Sequence, residues 1–240
     1  MADEMNATKS PVAKQATSVV RYHEFLKNYT DDAGTLTAEQ KCAKLYDNWT
    51  TYEQDVANAS YNGASLSTAM LSELCPDKNI SILDCGAGSG LVGEKLRAEG
   101  FTNLTGNDIS QTLLDIAEKK NIYKKLVCCD GGNVAKLPFE ENEFDALICT
   151  GCVSPTAIRP KAFVDWTRVV KPGGVFLLLA RHRYWQTDLT NKWPKLGFID
   201  EFDTVIQDLE NSKKVEMIFK RVVPDYVEGT EGLAFAFRVL

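Results

Sequence analysis

The sequence predicts a doubly wound α/β fold: a mostly parallel seven-stranded sheet with an antiparallel edge strand, preceded by an N-terminal helical segment. The first observation is that short apolar runs alternate with stretches of helical periodicity between residues 80 and 180. Strands that alternate with helices form a parallel sheet with helices on both faces. The second observation is a pair of β-rich runs after residue 210, which predicts that the sheet closes with two strands, one of them antiparallel.

The segments that follow each other along the chain are predicted as follows. Strands lie at 80–85, 103–107, 125–129, 144–150, 175–180, 214–223 and 233–239, and helices at 91–99, 111–120, 161–170 and 201–209. Residues 171–174 form a turn and residues 224–232 join the last two strands.

The residues before this alternation divide into two parts. Residues 1–17 are polar and small, which predicts a mobile tail. Residues 18–70 are predicted as a helical lid segment, with a helix start at Thr37 and apolar or aromatic residues at three- and four-residue steps from Leu45 to Val56. Residues 71–240 are then the α/β domain.

The composition is that of one globular domain. Hydrophobic residues make up 44% and charged residues 25% of the 240 positions, so the chain can bury a core without disulfides or a metal. A net charge of −6 argues against a nucleic-acid partner. Because we find neither a basic leader nor an apolar run of bilayer length, we expect a soluble cytoplasmic protein with no membrane partner, either monomeric or homodimeric.

The seven cysteines predict reduced, structural thiols. Cys85, Cys128 and Cys129 lie in apolar runs, where a thiol behaves as a small hydrophobic group. Cys149 and Cys152 have C-x-x-C spacing, but no second pair at zinc spacing accompanies them. We therefore predict no metal site.

The most informative local feature is the strand that runs from Ile82 into Gly86, Gly88 and Gly90, with a helix beginning near Leu91. Glycines at this point permit a tight turn and close approach of a ligand at the carboxyl end of a strand. The dinucleotide fingerprint requires a third glycine at position 91, which is Leu. A pyrophosphate on the helix N-terminus is therefore less well supported.

Acidic residues follow the next two strands. Asp108 comes at the end of the second strand, where a carboxylate can accept hydrogen bonds from both ribose hydroxyls. Asp130 and Gly131 follow the third strand, and the Asp130 carboxylate suits an adenine amino group. These residues indicate a nucleoside ligand without identifying it.

Four motifs in order, 84–90, 107–110, 137–145 and 170–174, together resemble those of class I S-adenosylmethionine-dependent methyltransferases, over residues 46–181. Within that class, 46–56 and 121–128 resemble the Williams–Beuren-region methyltransferase-like proteins. The resemblance implies S-adenosylmethionine as methyl donor and S-adenosylhomocysteine as product.

The resemblance also implies roles for individual residues. The glycine loop would contact the methionine moiety, Asp108 the ribose, Asp130 the adenine and Ile109 an adenine face. Asp84 would anchor the loop, or the methionine amino group through water. The cofactor-binding set is Tyr46, Tyr52, Asp84, Gly86, Ala87, Gly88, Asp108, Ile109, Asp130, Gly131 and Thr150. In this class the helix that carries Tyr46 and Tyr52 folds over the methionine end as a lid, whereas we expect Trp49 to pack on the core.

Methyl transfer to a small-molecule acceptor requires mainly in-line alignment, because the sulfonium methyl is already activated. Thr150, Ser154 and His182 are the candidate catalytic residues, since all three follow strands at the carboxyl edge of the sheet. His182 is the candidate general base, and Arg181 or Arg183 could bind an acceptor carboxylate. Two alternatives remain at this point: a non-catalytic S-adenosylmethionine-binding regulatory protein, and an NAD(P)-dependent oxidoreductase.

Overall fold

A computed structural model describes residues 36–133, 136–187 and 197–240, and these residues form a seven-stranded sheet. The strands are β1 (Ser81–Cys85), β2 (Asn103–Asp108), β3 (Lys125–Cys128), β4 (Phe144–Thr150), β5 (Val170–Arg181), β6 (Val215–Val227) and β7 (Thr230–Val239). Their order is β3-β2-β1-β4-β5-β7-β6. Strands β1 to β5 are parallel, and β7 runs antiparallel to both β5 and β6. The predicted fold class is confirmed, with β7 as the antiparallel strand and β6 on the outside.

Seven α-helices are found among the described residues. They are α1 (Ala38–Asp47), α2 (Tyr52–Asn58), α3 (Gly63–Leu74), α4 (Leu91–Ala98), α5 (Gln111–Lys119), α6 (Phe163–Val169) and α7 (Phe198–Asn211). Short 3-10 helices lie at Pro160–Ala162 and His182–Trp185. No helix in the described part of the chain is long and apolar enough to cross a membrane.

The helices cover both faces of the sheet because the strand side chains alternate between the faces. Leu83 belongs to one buried cluster, with Phe163 and Trp166 of α6. Its neighbour Ile82 belongs to the other, with Leu71 of α3 and Leu96 of α4. Two buried clusters, one on each face, therefore hold the sheet, and the carboxyl ends of β1 to β5 lie together at one edge.

Two predicted connections are partly strand. Residues 171–174 were expected to form a turn, but β5 begins at Val170, which pairs with Phe144 before the register shifts to Ala146 and Val175. Residues 224–232 were expected to join the last strands, but β6 continues to Val227 across a second register shift. Pro224 has no N–H to donate. It is tolerated in β6 because an edge strand does not need ladder hydrogen bonds on both sides.

The N-terminal helices are tied to the sheet domain by polar contacts. Asp47 of α1 accepts a hydrogen bond from the Ser110 hydroxyl at 2.6 Å. Lys120 donates to Glu53 of α2 at 2.6 Å and to Glu94 of α4 at 2.9 Å. The helix start predicted at Thr37 is present, where Thr37 and Gln40 form a reciprocal capping box.

Helix α3 crosses the expected boundary between residues 70 and 71, and its Ser67 hydroxyl accepts a hydrogen bond from Thr150 at 2.8 Å. The expected mobile tail 1–17 and the first part of the lid segment, 18–35, lie outside the described residues.

Candidate active site

A cavity opens at the carboxyl ends of β1 to β5, between the glycine loop and helices α1 and α2. Most of the predicted site residues line it, namely Tyr46, Tyr52, Gly86, Ala87, Gly88, Asp108, Ile109, Asp130, Gly131, Thr150 and Ser154. Asp84 and His182 do not.

The glycine loop is held by hydrogen bonds within the protein. The N–H groups of Gly86 and Ala87 donate to the Asn107 carbonyl at 2.8 and 2.9 Å, and that of Gly88 donates to the Asp108 carboxylate at 2.8 Å. Gly86 has a φ of +80°, and a Cβ there would lie 2.4 Å from the Cys152 sulfur. Because these amides are already used, the loop offers close approach of a ligand to the backbone and few donors for a pyrophosphate.

Asp108 is 8% exposed at the end of β2. Its other carboxylate oxygen accepts from the Ser110 N–H at 2.9 Å. Burial raises its pKa, against the lowering effect of backbone N–H groups that include those of Ser110 and Gly88. A carboxylate accepts at about four lone-pair positions, so a ribose hydroxyl can still be bound.

Asp130 forms the floor of the cavity at the end of β3. One of its oxygens accepts from the N–H groups of Gly132 and Asn133 at 2.7 and 2.6 Å, which fixes the loop that follows. The Asn107 side chain lies beside it, and its buried Oδ1 has no hydrogen-bond partner within the described residues. Because Asn107 is fully buried, this oxygen is an unsatisfied acceptor behind the cavity wall that a bound ligand does not reach.

Asp84 lies behind the loop, fully buried, and accepts a hydrogen bond from the Tyr123 hydroxyl at 2.6 Å. Burial raises its pKa to about 7, although the Tyr123 hydrogen bond acts in the opposite direction. Asp84 therefore supports the loop from inside the protein and does not reach the cavity.

Three aromatic side chains on or between α1 and α2 pack against one another along the cavity wall. Tyr46, Trp49 and Tyr52 have ring centroids 5.4 to 6.1 Å apart. Trp49, which was expected to pack on the core, lines the cavity with the two tyrosines, and its indole N–H donates to Asp55 at 2.8 Å. Burial raises the pKa of Tyr52, so its hydroxyl remains protonated at neutral pH.

The three candidate catalytic residues differ in position. The hydroxyl of Thr150 donates to Ser67, whose own hydroxyl donates to the Gly63 carbonyl at 2.8 Å. Ser154 accepts from the Ala157 N–H at 3.0 Å. His182 lies outside the cavity lining, with its ring nitrogen 2.8 Å from the Glu231 carboxylate on β7. The structure therefore brings Thr150 and Ser154 to the site, and does not bring His182.

Other lining residues were not anticipated. Tyr61 and Tyr226 line the cavity and lie against Gly151, which follows β4. Tyr61 and Tyr226 are separated by more than 160 positions in the sequence, and the loop between α2 and α3 that carries Tyr61 is joined to Tyr226 by the Asn62 N–H. No local motif could have found this pair.

Known proteins with similar sequences are methyltransferases or are named as methyltransferase-like. Residues 83–178 match a family model described as a methyltransferase domain. Methyltransferase-like protein 27 of Homo sapiens is 37% identical over 140 residues, which cover 57% of this chain and 56% of that protein. The resemblance to class I methyltransferases is confirmed. A demethylmenaquinone methyltransferase of Symbiobacterium thermophilum is 29% identical over 107 residues, or 43% of each chain. The chain thus spans about half the length of these curated relatives.

Solved structures share the class I methyltransferase fold at low identity. The [4+2]-cyclase SpnF has a TM-score of 0.65 at 16% identity and covers 85% of this chain and 96% of its own. A geranyl diphosphate C-methyltransferase from Streptomyces coelicolor, solved with Mg²⁺, geranyl diphosphate and S-adenosyl-L-homocysteine, has a TM-score of 0.61 at 12% identity, with 86% and 100% covered. At this identity the likeness concerns the fold alone.

Proposed function

We propose that this chain is an S-adenosylmethionine-dependent methyltransferase that acts on a small molecule. The observation that carries the proposal is the pairing of the glycine loop with Asp108. The N–H groups of the glycine loop donate to Asn107 and Asp108 and are therefore not presented to a phosphate. The Asp108 side chain lies at the cavity wall.

The charges around the cavity suit this cofactor. Asp55, Asp108 and Asp130 line it, and Arg181 is the one cationic side chain among the described lining residues. An acidic cleft favours a ligand with a sulfonium and an ammonium group over one with a pyrophosphate. The same balance is unfavourable for a nucleic-acid acceptor. These charges also weigh against the NAD(P)-dependent oxidoreductase.

When bound, S-adenosylmethionine supplies a methyl group that is already activated. The chain's own part is then to hold and align. Asp108 would hold the ribose, and the Asp130 carboxylate would hold the adenine. Tyr46, Trp49 and Tyr52 would cover the methionine end and exclude water. Van der Waals contacts with the ligand would come from Gly86, Ala87, Gly88, Ile109 and Gly131.

Catalysis in this site would depend on positioning, since alignment at near-attack distance can supply most of the rate enhancement. Thr150 and Ser154 would help to shape the acceptor wall. We do not retain His182 as general base, because its ring faces Glu231 and not the cavity.

The second candidate is a protein that binds the cofactor without transferring its methyl group. SpnF, which has this fold, is named for a cyclase reaction, and a fold does not determine the reaction that it hosts. Detection of a methylated product with a screened acceptor would separate this candidate from the first.

Isothermal titration tests cofactor binding directly. S-adenosylmethionine and S-adenosylhomocysteine should bind with micromolar affinity and NADH should not. Replacing Asp108 by Ala removes charged hydrogen bonds worth about 1.5–3 kcal/mol each, so Asp108→Ala should weaken binding by about tenfold or more. Asp115→Ala, which removes an exposed carboxylate of α5, is the matched control. Binding of NADH alone, or unchanged affinity in Asp108→Ala, would overturn the proposal.

A further inference from the structure

Two tyrosines that no motif predicted meet at the end of β4. The rings of Tyr61 and Tyr226 are perpendicular, with centroids 5.2 Å apart. A Cβ on Gly151 would lie 3.1 Å from the Tyr61 hydroxyl and 3.2 Å from the Tyr226 hydroxyl. Gly151 also has a φ of +81°, which glycine adopts without strain. Both phenol groups therefore converge on one point of the cavity wall.

The backbone fixes this convergence. The N–H of Asn62 donates to the Tyr226 carbonyl at 2.9 Å, and the Asn62 amide donates to the Asp225 carbonyl at 3.0 Å. The segment before α3 is thereby tied to the end of β6. A Cβ on Gly63 would lie 2.4 Å from the Tyr61 hydroxyl, so the tyrosine ring can lie across the helix start only because residue 63 is glycine.

Arg181 also lines the cavity, and its position on β5 lies close to Tyr226. Arg181, at the end of β5, is opposite Gly232 on β7, and a Cβ on Gly232 would lie 3.0 Å from the Cβ of Tyr226. Gly232 thus allows Tyr226 to pack next to the strand position that Arg181 faces. Arg181 lines the cavity, whereas Arg183 does not.

These three side chains have the chemistry of an anion subsite. Burial raises the pKa of Tyr61, and the charge of Tyr226 and a side-chain hydrogen bond with it add to the effect, so this phenol keeps its proton at neutral pH and the two hydroxyls act as one hydrogen-bonded pair. A guanidinium matches the planar fork of a carboxylate. One arginine with neutral donors suits a single negative charge better than a phosphate, which recruits several cations.

We propose that Arg181, Tyr61 and Tyr226 form the acceptor subsite, and that the acceptor is a small aromatic carboxylic acid. The carboxylate would lie between the guanidinium and the two hydroxyls, and the ring would lie among the aromatic walls, to which Tyr184 also contributes. This inference rests on the proposed methyl transfer, because it places the acceptor beside the glycine loop.

The test uses ¹⁹F NMR titrations with 4-fluorobenzoate and its uncharged analogue 4-fluorobenzamide, on the full chain saturated with S-adenosylhomocysteine. We expect the benzoate to bind at least fivefold more tightly than the amide. Arg181→Met and the double variant Tyr61→Phe with Tyr226→Phe should bring benzoate affinity to the level of the amide, while S-adenosylhomocysteine affinity changes less than twofold. Arg221→Met, an exposed arginine on β6, is the control and should leave both affinities unchanged.

Equal binding of the two probes, no binding of either, or unchanged benzoate binding in the Arg181 and tyrosine variants would overturn the subsite. Failure of the proposed function would look different, because S-adenosylhomocysteine itself would not bind. In that event the same titrations on the unliganded chain still test whether the three side chains select a carboxylate.

Discussion

The single buried carboxylate of Asp84 makes the stability of the folded chain depend on pH. Its pKa in the folded protein is about 7, against an ordinary value of 3.8, chiefly because of burial. The folded chain therefore holds this proton more tightly than the unfolded chain. Its contribution to stability is fully present below about pH 4 and is lost as the pH rises through 7.

We predict that Asp84→Asn removes this pH dependence. Urea titrations of the Asp84→Asn variant and of the natural chain give the free energy of unfolding of each. The value for the variant minus that for the natural chain should rise between about pH 4 and 7 by at most about 1.4 kcal/mol per pH unit. Tyr123→Phe removes the hydrogen bond that favours the ionised form, and so the decline should extend to higher pH. When Asp84→Asn is already present, the same Tyr123 change should have no such effect, and a profile for Asp84→Asn parallel to that of the natural chain would contradict the prediction.

Candidate site residues could be identified from the sequence where they directly follow a predicted strand. Asp108 and the glycine loop were recognisable because strand, turn and helix succeed one another within about ten positions. His182 was misplaced for the opposite reason: Glu231, 49 residues later, pairs with its ring. A partner supplied by tertiary structure is invisible to local spacing.

Helices α1 and α2 depend on few polar contacts with the sheet domain. Asp47 accepts from the Ser110 hydroxyl and, at 3.3 Å, from the Thr112 N–H. Because α2 contains no fully buried side chain, these contacts carry much of the docking, and such weakly packed elements open at low free-energy cost.

We predict that Asp47→Ala increases amide hydrogen exchange across residues 38–58 and leaves α3 protected. The global midpoint of thermal unfolding should change little. Asp115→Ala removes an exposed carboxylate that accepts a hydrogen bond from Gln111 of its own helix, and so it should leave exchange in 38–58 as in the natural chain. Unchanged exchange in Asp47→Ala would show that packing alone docks the two helices.

Most element positions were predictable, because strands β1, β2 and β4 and helices α4 and α5 have an apolar pattern that agrees with their burial. The strand ends at Val170 and Val227 were not. Both lie beyond register shifts, where pairing with a distant strand overrides the local preference of glycine and proline for turns.

The whole molecule is stabilised by the two apolar layers on either side of the sheet. Phe176 of β5 is fully buried and touches the rings of Phe163, Trp166 and Phe237. Phe176→Ala should therefore lower the free energy of unfolding by about 3–5 kcal/mol in urea titration. Val164→Ala, at a position that is 57% exposed on α6, should change it by less than about 0.5 kcal/mol. Similar losses in both variants would argue against a core at Phe176.

The β6–β7 hairpin has a consequence for how this chain can change during evolution. Tyr226 and Gly232 belong to it, whereas the glycine loop, Asp108 and Asp130 come from the first three strands. Of the proposed subsite only Tyr226 comes from this hairpin, since Tyr61 precedes α3 and Arg181 ends β5. A substitution at Tyr226 therefore alters the acceptor wall without changing any residue of the glycine loop.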